Sequence, residues 1–378
     1  MMVKNEEASI KITLDSIRDH IKYVFVFDTG STDKTLDIIK AKCKKNKQTL
    51  YVKQGSFQNF AASRNESIEF AETIAPIHSI DFLLLLDAGD EFRCDKTRVG
   101  LTNMLKTVPA VSTLGIVKKQ WLDKTGTIEH YDIRFIRVNR NCRYDIRYPV
   151  HETFGNKSKQ NMIFLDNLFI LYQDRLVHGE SSNGRFVKDI QMLLGAPVTK
   201  RNYFYLGQTY MNSNDYENGY KYNKLAYETK EVDESSSMDN MSDTLVLLRM
   251  FNCAYNLKKD AQTIFELFHK VIAIDSNNID AYIYLCKYCL DTDCHDKVRP
   301  YLQKLADLTK PTSGERTLIN HSYYDYLRWH FIGSLCLKTG DYELGKMACT
   351  KAVATKQSPM DQINLQLLTN LQNGFKLS

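Results

Sequence analysis

Two short apolar runs, each ending in acid, constrain this chain more than any other feature. Tyr23-Val24-Phe25-Val26-Phe27 is β-branched and aromatic and stops at Asp28-Thr29-Gly30-Ser31, and Phe82-Leu83-Leu84-Leu85-Leu86 stops at Asp87-Ala88-Gly89-Asp90-Glu91. Runs without polar alternation read as strands buried on both faces. Between them lie a helix opening at Asp33, capped by Ser31, Thr32 or Asp33 itself, a short strand Leu50 to Lys53, and a helix from Asn59 to Ile74. Such alternation predicts an α/β fold with a mostly parallel sheet. More strand-like segments follow at Val111 to Lys118, Asp132 to Val138 and Ile163 to Leu171. Open α/β sheets bind ligands at the carboxyl ends of their strands, so the acidic tips mark the candidate site. Asp87, Asp90 and Glu91 repel one another unless neutralised. A hard divalent cation, Mg²⁺ or Mn²⁺, answers this by taking carboxylates together with substrate phosphate oxygens. The plainer alternative is a polar loop capping a core strand.

The chain beyond residue 195 reads differently. Tyr203, Leu206, Gly207, Tyr210, Tyr216, Gly219 and Ala226 share their spacing with Trp329, Ile332, Gly333, Cys336, Tyr342, Gly345 and Ala352. Weaker copies start at Leu248 and Tyr282. The pattern resembles the tetratricopeptide repeat, a two-helix unit of about 34 residues, with insertions such as Glu231 to Ser242. Its small positions let paired helices approach, and units that cannot bury a face alone stack into a solenoid. An irregular helical bundle is the alternative. The expected division is therefore residues 1–195 as an α/β domain and 196–378 as an all-α repeat domain.

Composition removes several classes. Fifty basic against forty-five acidic residues gives +5, too small an excess to indicate nucleic acid. No apolar run approaches a membrane span, and the N-terminus lacks the apolar stretch of a signal peptide. Nine scattered cysteines, an odd number, suit free thiols in a reducing compartment. The cytoplasm is the expected location, the host's if the chain is viral; abundant Lys, Asn, Ile and Tyr would suit an AT-rich genome, that of a large DNA virus or a low-GC bacterium. Asn65-Glu66-Ser67 is then an idle glycosylation sequon.

Several blocks carry a resemblance. Met2-Val3-Lys4-Asn5-Glu6-Glu7, Phe27-Asp28-Thr29-Gly30-Ser31-Thr32-Asp33-Lys34-Thr35, Phe60-Ala61-Ala62-Ser63-Arg64-Asn65-Glu66 and Leu85-Leu86-Asp87-Ala88-Gly89-Asp90-Glu91 stand in the order and spacing seen in the family 2 glycosyltransferases. Arg134-Phe135-Ile136-Arg137, Val150-His151-Glu152 and Val177-His178-Gly179 with Arg185 resemble a branch that carries tetratricopeptide repeats after its catalytic domain. Two departures stand out: only Met1 to Val3 precede the Lys-Asn-Glu-Glu turn, and a glycine is inserted in the acidic motif, commonly called DxD.

The resemblance implies a GT-A-type, Rossmann-like domain. It also implies a nucleotide-sugar donor, most simply a UDP-sugar, and metal-dependent transfer with inversion to a hydroxyl on a glycan or protein. Asp28 would accept from the base, with a helix-cap role as alternative, and Glu6 would contact the same nucleoside. Arg64 would meet phosphate or base. Asp87 and Asp90 form the metal and ribose pair, Asp90 being the direct ligand and His178 a further one. Glu152 is the candidate general base, with Asp132 and Glu129 as alternatives, and His151 would orient it or help bind metal. Arg185 and Lys188 would close over the diphosphate, and a solvated basic face is the alternative for them. Trp121 reads as core rather than as a sugar platform. Cys286, Cys289, Cys294 and His295 suggest zinc, but the first two fall at packing positions and read as core. The competing function is a degenerate domain fused to a peptide-binding repeat scaffold. A nucleotidyltransferase lacks support because Lys4-Asn5-Glu6-Glu7 is acidic where a phosphate loop would be basic. The repeats could also present a protein acceptor or pair two chains as a homodimer.

Overall fold

The computed structural model describes residues 1–124, 126–155, 162–165, 168–174, 183–229, 242–311 and 318–373. The chain forms two compact units. The first runs from Met1 to Tyr205 and includes Leu318 and Ile319; the second holds the other described residues from Leu206 on. The change of unit thus falls within the helix Lys200–Asn212.

In the first unit, β1 (Met2–Val3), β2 (Tyr23–Asp28) and β3 (Thr49–Gln54) form a parallel sheet in that order. Asp28 lies opposite both Val3 and Gln54, so the three strands finish level and the acidic tip sits on their common carboxyl edge. The crossovers are α1 (Ile10–Ser16) and α2 (Thr35–Lys45), and α3 (Phe60–Ile74) follows β3. At the start of α2 the Asp33 carboxylate accepts the Thr35 N–H at 2.9 Å, and Asn59 caps α3 through the Ala62 N–H at 2.9 Å. Val26, Phe27, Ile10, Leu14 and Ile39 are sealed from solvent between sheet and helices.

The second sheet is mixed. Its order is β10 (Leu318–Asn320), β7 (Gly126–Arg137), β6 (Leu114–Asp123), β9 (Ile170–Asp174) and β5 (Glu91–Arg93). In addition, β4 (Phe82–Leu84) pairs with β7 and β8 (Met162–Phe164) with β6. The leucine run, read from sequence as a strand of a parallel sheet, instead runs antiparallel to β7. That pairing continues past β4, where Leu85 N–H donates to Arg134 O at 2.7 Å, and it delivers Asp87 next to Arg134. Helix α4 (Arg98–Lys106) follows β5. Gly115 marks a bulge in β6, where a Cβ would come within 2.6 Å of Leu165 Cδ1.

The second unit is helical. Successive pairs are Lys200–Asn212 with Tyr216–Glu228, Asp243–Asn256 with Ala261–Ile274, Ile279–Asp291 with His295–Asp307, and Arg328–Thr339 with Tyr342–Thr355. A last helix, Pro359–Gln372, follows. The small positions of the repeat pattern are the points of closest approach: a Cβ on Gly207 would strike Asn223, and one on Gly345 would lie 2.6 Å from Cys336 Cβ. Cys286 and Cys289 are buried among these helices, and burial pushes both thiols up. No helix among the described residues is long and apolar enough to cross a membrane. The architecture is a GT-A-like α/β domain followed by paired-helix repeats.

Candidate active site

The inserted glycine explains the local fold of the acidic motif. Gly89 takes φ +91°, the left-handed region that glycine tolerates, and its N–H donates to Thr13 Oγ1 at 2.9 Å. The turn folds Asp90 back beneath Asp87, so that Asp90 N–H donates to Asp87 O at 3.1 Å and Asp90 Oδ2 accepts the Asp87 N–H at 2.9 Å. Asp90 ends fully buried, whereas the Asp87 side chain stays about one-third exposed (32%).

Around Asp87 the chain builds a row of alternating charges. Arg64 Nη2 donates to Asp87 Oδ1 at 2.8 Å, and Arg64 Nε donates to Glu152 Oε1. From β7, Arg134 Nη1 reaches Asp87 Oδ2 at 2.8 Å and its Nε reaches Asp132 Oδ2 at 2.7 Å. The order is therefore Asp132, Arg134, Asp87, Arg64, Glu152. Lys119 adds a branch from β6, with Nζ 2.8 Å from Asp90 Oδ1 and 3.6 Å from Asp87 Oδ2. The first contact is an ion pair without hydrogen-bond alignment, so Asp90 Oδ1 is buried with no directed donor among the described residues. Desolvation works to raise the Asp87 pKa, but Arg134, Arg64 and Lys119 together hold it well below the usual carboxylate range. Asp132 is lowered in the same way, with Arg134 opposing its desolvation. A small hollow lies beside Arg64, lined by Met1, Met2, Ser67, Ile68, Leu85, Leu86 and Tyr144.

Glu152 reaches the row from a loop clamped onto α3. Asn65 pairs with the backbone of Tyr144 at both its N–H and C=O (2.7 and 2.9 Å), Arg143 binds Glu72 at 2.7 Å, and Phe60 N–H donates to Pro149 O at 3.1 Å. Tyr144 stacks on Phe154 with centroids 4.1 Å apart and lies beneath the Arg64 guanidinium. His151 adopts φ +53°, a conformation that non-glycine residues rarely hold. Its ring stacks on Tyr205 at 4.0 Å and its carbonyl accepts from Arg201 at 2.8 Å. The residue is exposed, and its pKa is pushed down, by desolvation on its packed side and by the Arg201 and Arg185 charges.

The expected site residues fall into several groups. Arg64, Asp87, Asp90 and Glu152 come together, and Asp132, an alternative base, joins them. Glu6 is close enough for Asp87 to act on it: desolvation raises its pKa, Asp87 and Asp33 add to the rise, and its carboxylate accepts from Ser9 at 2.6 Å. Asp28 is fully buried, accepting the Ser31 N–H and Oγ–H at 3.0 and 2.6 Å and Gln54 at 3.3 Å, which is the bonding of a turn cap. Arg185 is 57% exposed and pairs loosely with Asp189 at 3.6 Å, while its charge is felt at Glu6 and His151. Lys188 is exposed on the helix that carries Arg185. His178 lies outside the described residues, as do 179–182.

The residues described do not fit a divalent cation. Asp90 is sealed, both Asp87 oxygens are engaged by guanidinium groups, and no cluster of three His, Cys, Asp or Glu side chains able to hold a metal exists among the described residues. Sequence reading missed Lys119 altogether and gave Arg134, Asn65 and Tyr144 no role. For Arg134 the signal was available, since Asp132 and Arg134 two apart in a strand share a face. For Lys119 only the strand register reveals it.

Residues 1–160 match the family described as Glycosyl transferase family 2. Among curated proteins, none matches the chain. Among solved structures, S. aureus TarS is 14% identical with a TM-score of 0.35 over 70% of this chain, and this chain spans 53% of that one. S. aureus TarS 1-349 in complex with UDP is 12% identical, covering 100% of this chain and 91% of its own, with a TM-score of 0.33. TTC0263, a thermophilic TPR protein of Thermus thermophilus, is 14% identical over 47% of this chain and 84% of its own, with a TM-score of 0.29. Likenesses this distant carry no argument, and the family match stands by itself. Residues 1–160 thus carry the match to Glycosyl transferase family 2, and the paired-helix repeats follow them in the chain.

Proposed function

We propose that the protein transfers a hexosyl or N-acetylhexosaminyl group, with inversion, from a UDP-sugar to a hydroxyl on a glycan or protein, acting in the cytoplasm. The observation that carries this reading is the charge row from Asp132 to Glu152, which gathers guanidinium groups and carboxylates from separate segments of the first unit. Donor diphosphate needs positive charge, and acceptor hydroxyl needs a base; the row contains both. In the step, the acceptor oxygen bonds to the anomeric carbon from the face opposite the diphosphate. The carbon–oxygen bond to phosphate breaks and its electron pair leaves with UDP, while the hydroxyl proton passes to a carboxylate. Arg64 and Arg134 are read as the groups facing the leaving diphosphate. Glu152 remains the first candidate base and Asp132, which is more exposed, the second. Asp28 and Glu6 are read with the nucleoside, and Arg185 and Lys188 as approaching the diphosphate. The cation expected beside Asp87, Asp90 and His178 is left out of this proposal, since the described acids are already paired. The tail is read as tetratricopeptide-like, presenting a protein acceptor or pairing two chains.

Titration calorimetry with UDP, in EDTA and in Mn²⁺, tests the donor assignment: binding in at least one condition is expected, and none in either removes it. Glu152→Gln and Asp132→Asn then identify the base. The correct variant loses transfer by at least about 100-fold while still binding UDP. If both retain wild-type turnover, neither residue is the base.

A further inference from the structure

The acidic turn carries a positive group where a metal ion is expected. Lys119 comes from β6, and its side chain is only 7% exposed. Its neighbour Lys118 follows the strand's alternation away from the turn, to Glu129 at 3.3 Å. An ammonium group removed from water is costly unless a carboxylate compensates it. Here two do so, Asp90 at 2.8 Å and Asp87 at 3.6 Å. A compact charge on a flexible stem can address two carboxylates of unlike orientation, much as a bare cation does. Asp90 Oδ1 has no aligned donor among the described residues, so the positive charge set against it is the Lys119 ammonium. The turn itself is fixed, by Gly89 at φ +91° and by the Asp87 N–H bond to Asp90 Oδ2. A metal ion entering it would have to displace an ammonium from Asp90 and a guanidinium from Asp87 together.

We infer that Lys119 is a resident counter-ion of the Asp87–Asp90 turn, occupying the place expected for a divalent cation and closing the acid pair to free metal ions. The inference concerns the site read above as the donor site and rests on that reading for its meaning, though its measurement involves no nucleotide. The experiment titrates full-length protein with Mn²⁺ at pH 7.5 and reads free Mn²⁺ by electron paramagnetic resonance. Wild type should take up no stoichiometric Mn²⁺. Lys119→Met, which keeps an unbranched stem and removes the charge, should bind one ion per chain at least about tenfold more tightly. One Mn²⁺ bound per wild-type chain overturns the inference, and so does a folded K119M as inert as wild type. Lys119→Gln is the second variant, with the same expectation, and the wild-type titration refutes the idea even if neither variant folds. UDP calorimetry on the same preparation keeps the two claims apart: a chain that never binds UDP loses its donor assignment, whatever the Mn²⁺ result.

Discussion

Replacing Arg64 with methionine removes the central link of the charge row, and the structure sets the size of the effect. Arg64 and Glu152 have side-chain exposures of 15% and 13%, so their pairing is closer to a buried ion pair than a surface one. Removing one partner of a buried pair costs about 3–5 kcal/mol, chiefly because the other charge is stranded. Asp87 keeps Arg134 and Lys119, so only Glu152 is stranded, and the lower end applies: about 3 kcal/mol for Arg64→Met. Glu152→Gln leaves Arg64 its bond to Asp87 and should cost about 1–2 kcal/mol. The double variant should be less damaging than the sum by about 1.5 kcal/mol, within the range seen for contacting residues. Tryptophan fluorescence isolates the right unit, because the chain has two tryptophans, Trp121 in the first and Trp329 in the second. In a Trp329→Phe background, urea unfolding followed by Trp121 should show the R64M midpoint shifted down by about 1.5 M, taking a slope of about 2 kcal/mol per M. Additive single effects, or an R64M shift near zero, would refute the reasoning that this row holds the loop at Glu152.

Other outcomes follow from the same contacts. Asn65→Ala removes both bonds to the Tyr144 backbone and should cost the first unit about 2–3 kcal/mol, read by the same fluorescence, with sugar transfer reduced as the Glu152 loop loosens. The Asp87 pKa is depressed in the folded state, so its contribution to stability is present above the unfolded value and is lost as pH falls through the folded one. Wild type should therefore weaken steeply below about pH 4, and Asp87→Asn should flatten that limb; equal acid sensitivity would contradict it. In the second unit, Gly345→Ala places a methyl 2.6 Å from Cys336 Cβ and 2.9 Å from Leu368 Cδ2, and should cost about 1–3 kcal/mol by Trp329 fluorescence in a Trp121→Phe background.

Much of the fold was legible because it rests on local pattern. The Tyr23 to Phe27 run became β2, Asn59 became the cap of α3, and glycines at the repeat's small positions became points of helix contact. What sequence could not supply was pairing. Nothing local tells Phe82 to Leu84 to run antiparallel to β7 rather than join β1–β3, since an apolar strand suits either sheet. The site followed the same rule. Residues in the quoted blocks, Arg64, Asp87, Asp90 and Glu152, do converge. Lys119 sits in an undistinguished Val-Lys-Lys-Gln stretch, and its meaning comes only from the β6–β7 register. Asp28, read from sequence as a base contact or a cap, accepts the Ser31 N–H and Oγ–H in the fold.

Asp87, Asp90, Asp132 and Glu152 contribute four negative charges and Arg64, Lys119 and Arg134 three positive, so the row with its Lys119 branch carries one net negative charge. Every cation in it is already committed. A donor diphosphate adds further negative charge to a partly dry site, where like charges repel strongly. The guanidinium groups have spare N–H donors, so they can orient phosphate oxygens without leaving Asp87, but orientation alone does not change the sum. Binding therefore requires that positive charge arrive with the donor or be drawn in from the surface. Arg185 is the described cation best suited: it is mostly exposed, held only loosely by Asp189, and its charge already reaches Glu6 and His151. If it is drawn in, Arg185→Ala should weaken UDP binding by at least about tenfold, roughly 1.4 kcal/mol, while leaving urea stability within about 0.5 kcal/mol of wild type. Unchanged UDP affinity in that variant would mean that the missing charge comes with the donor.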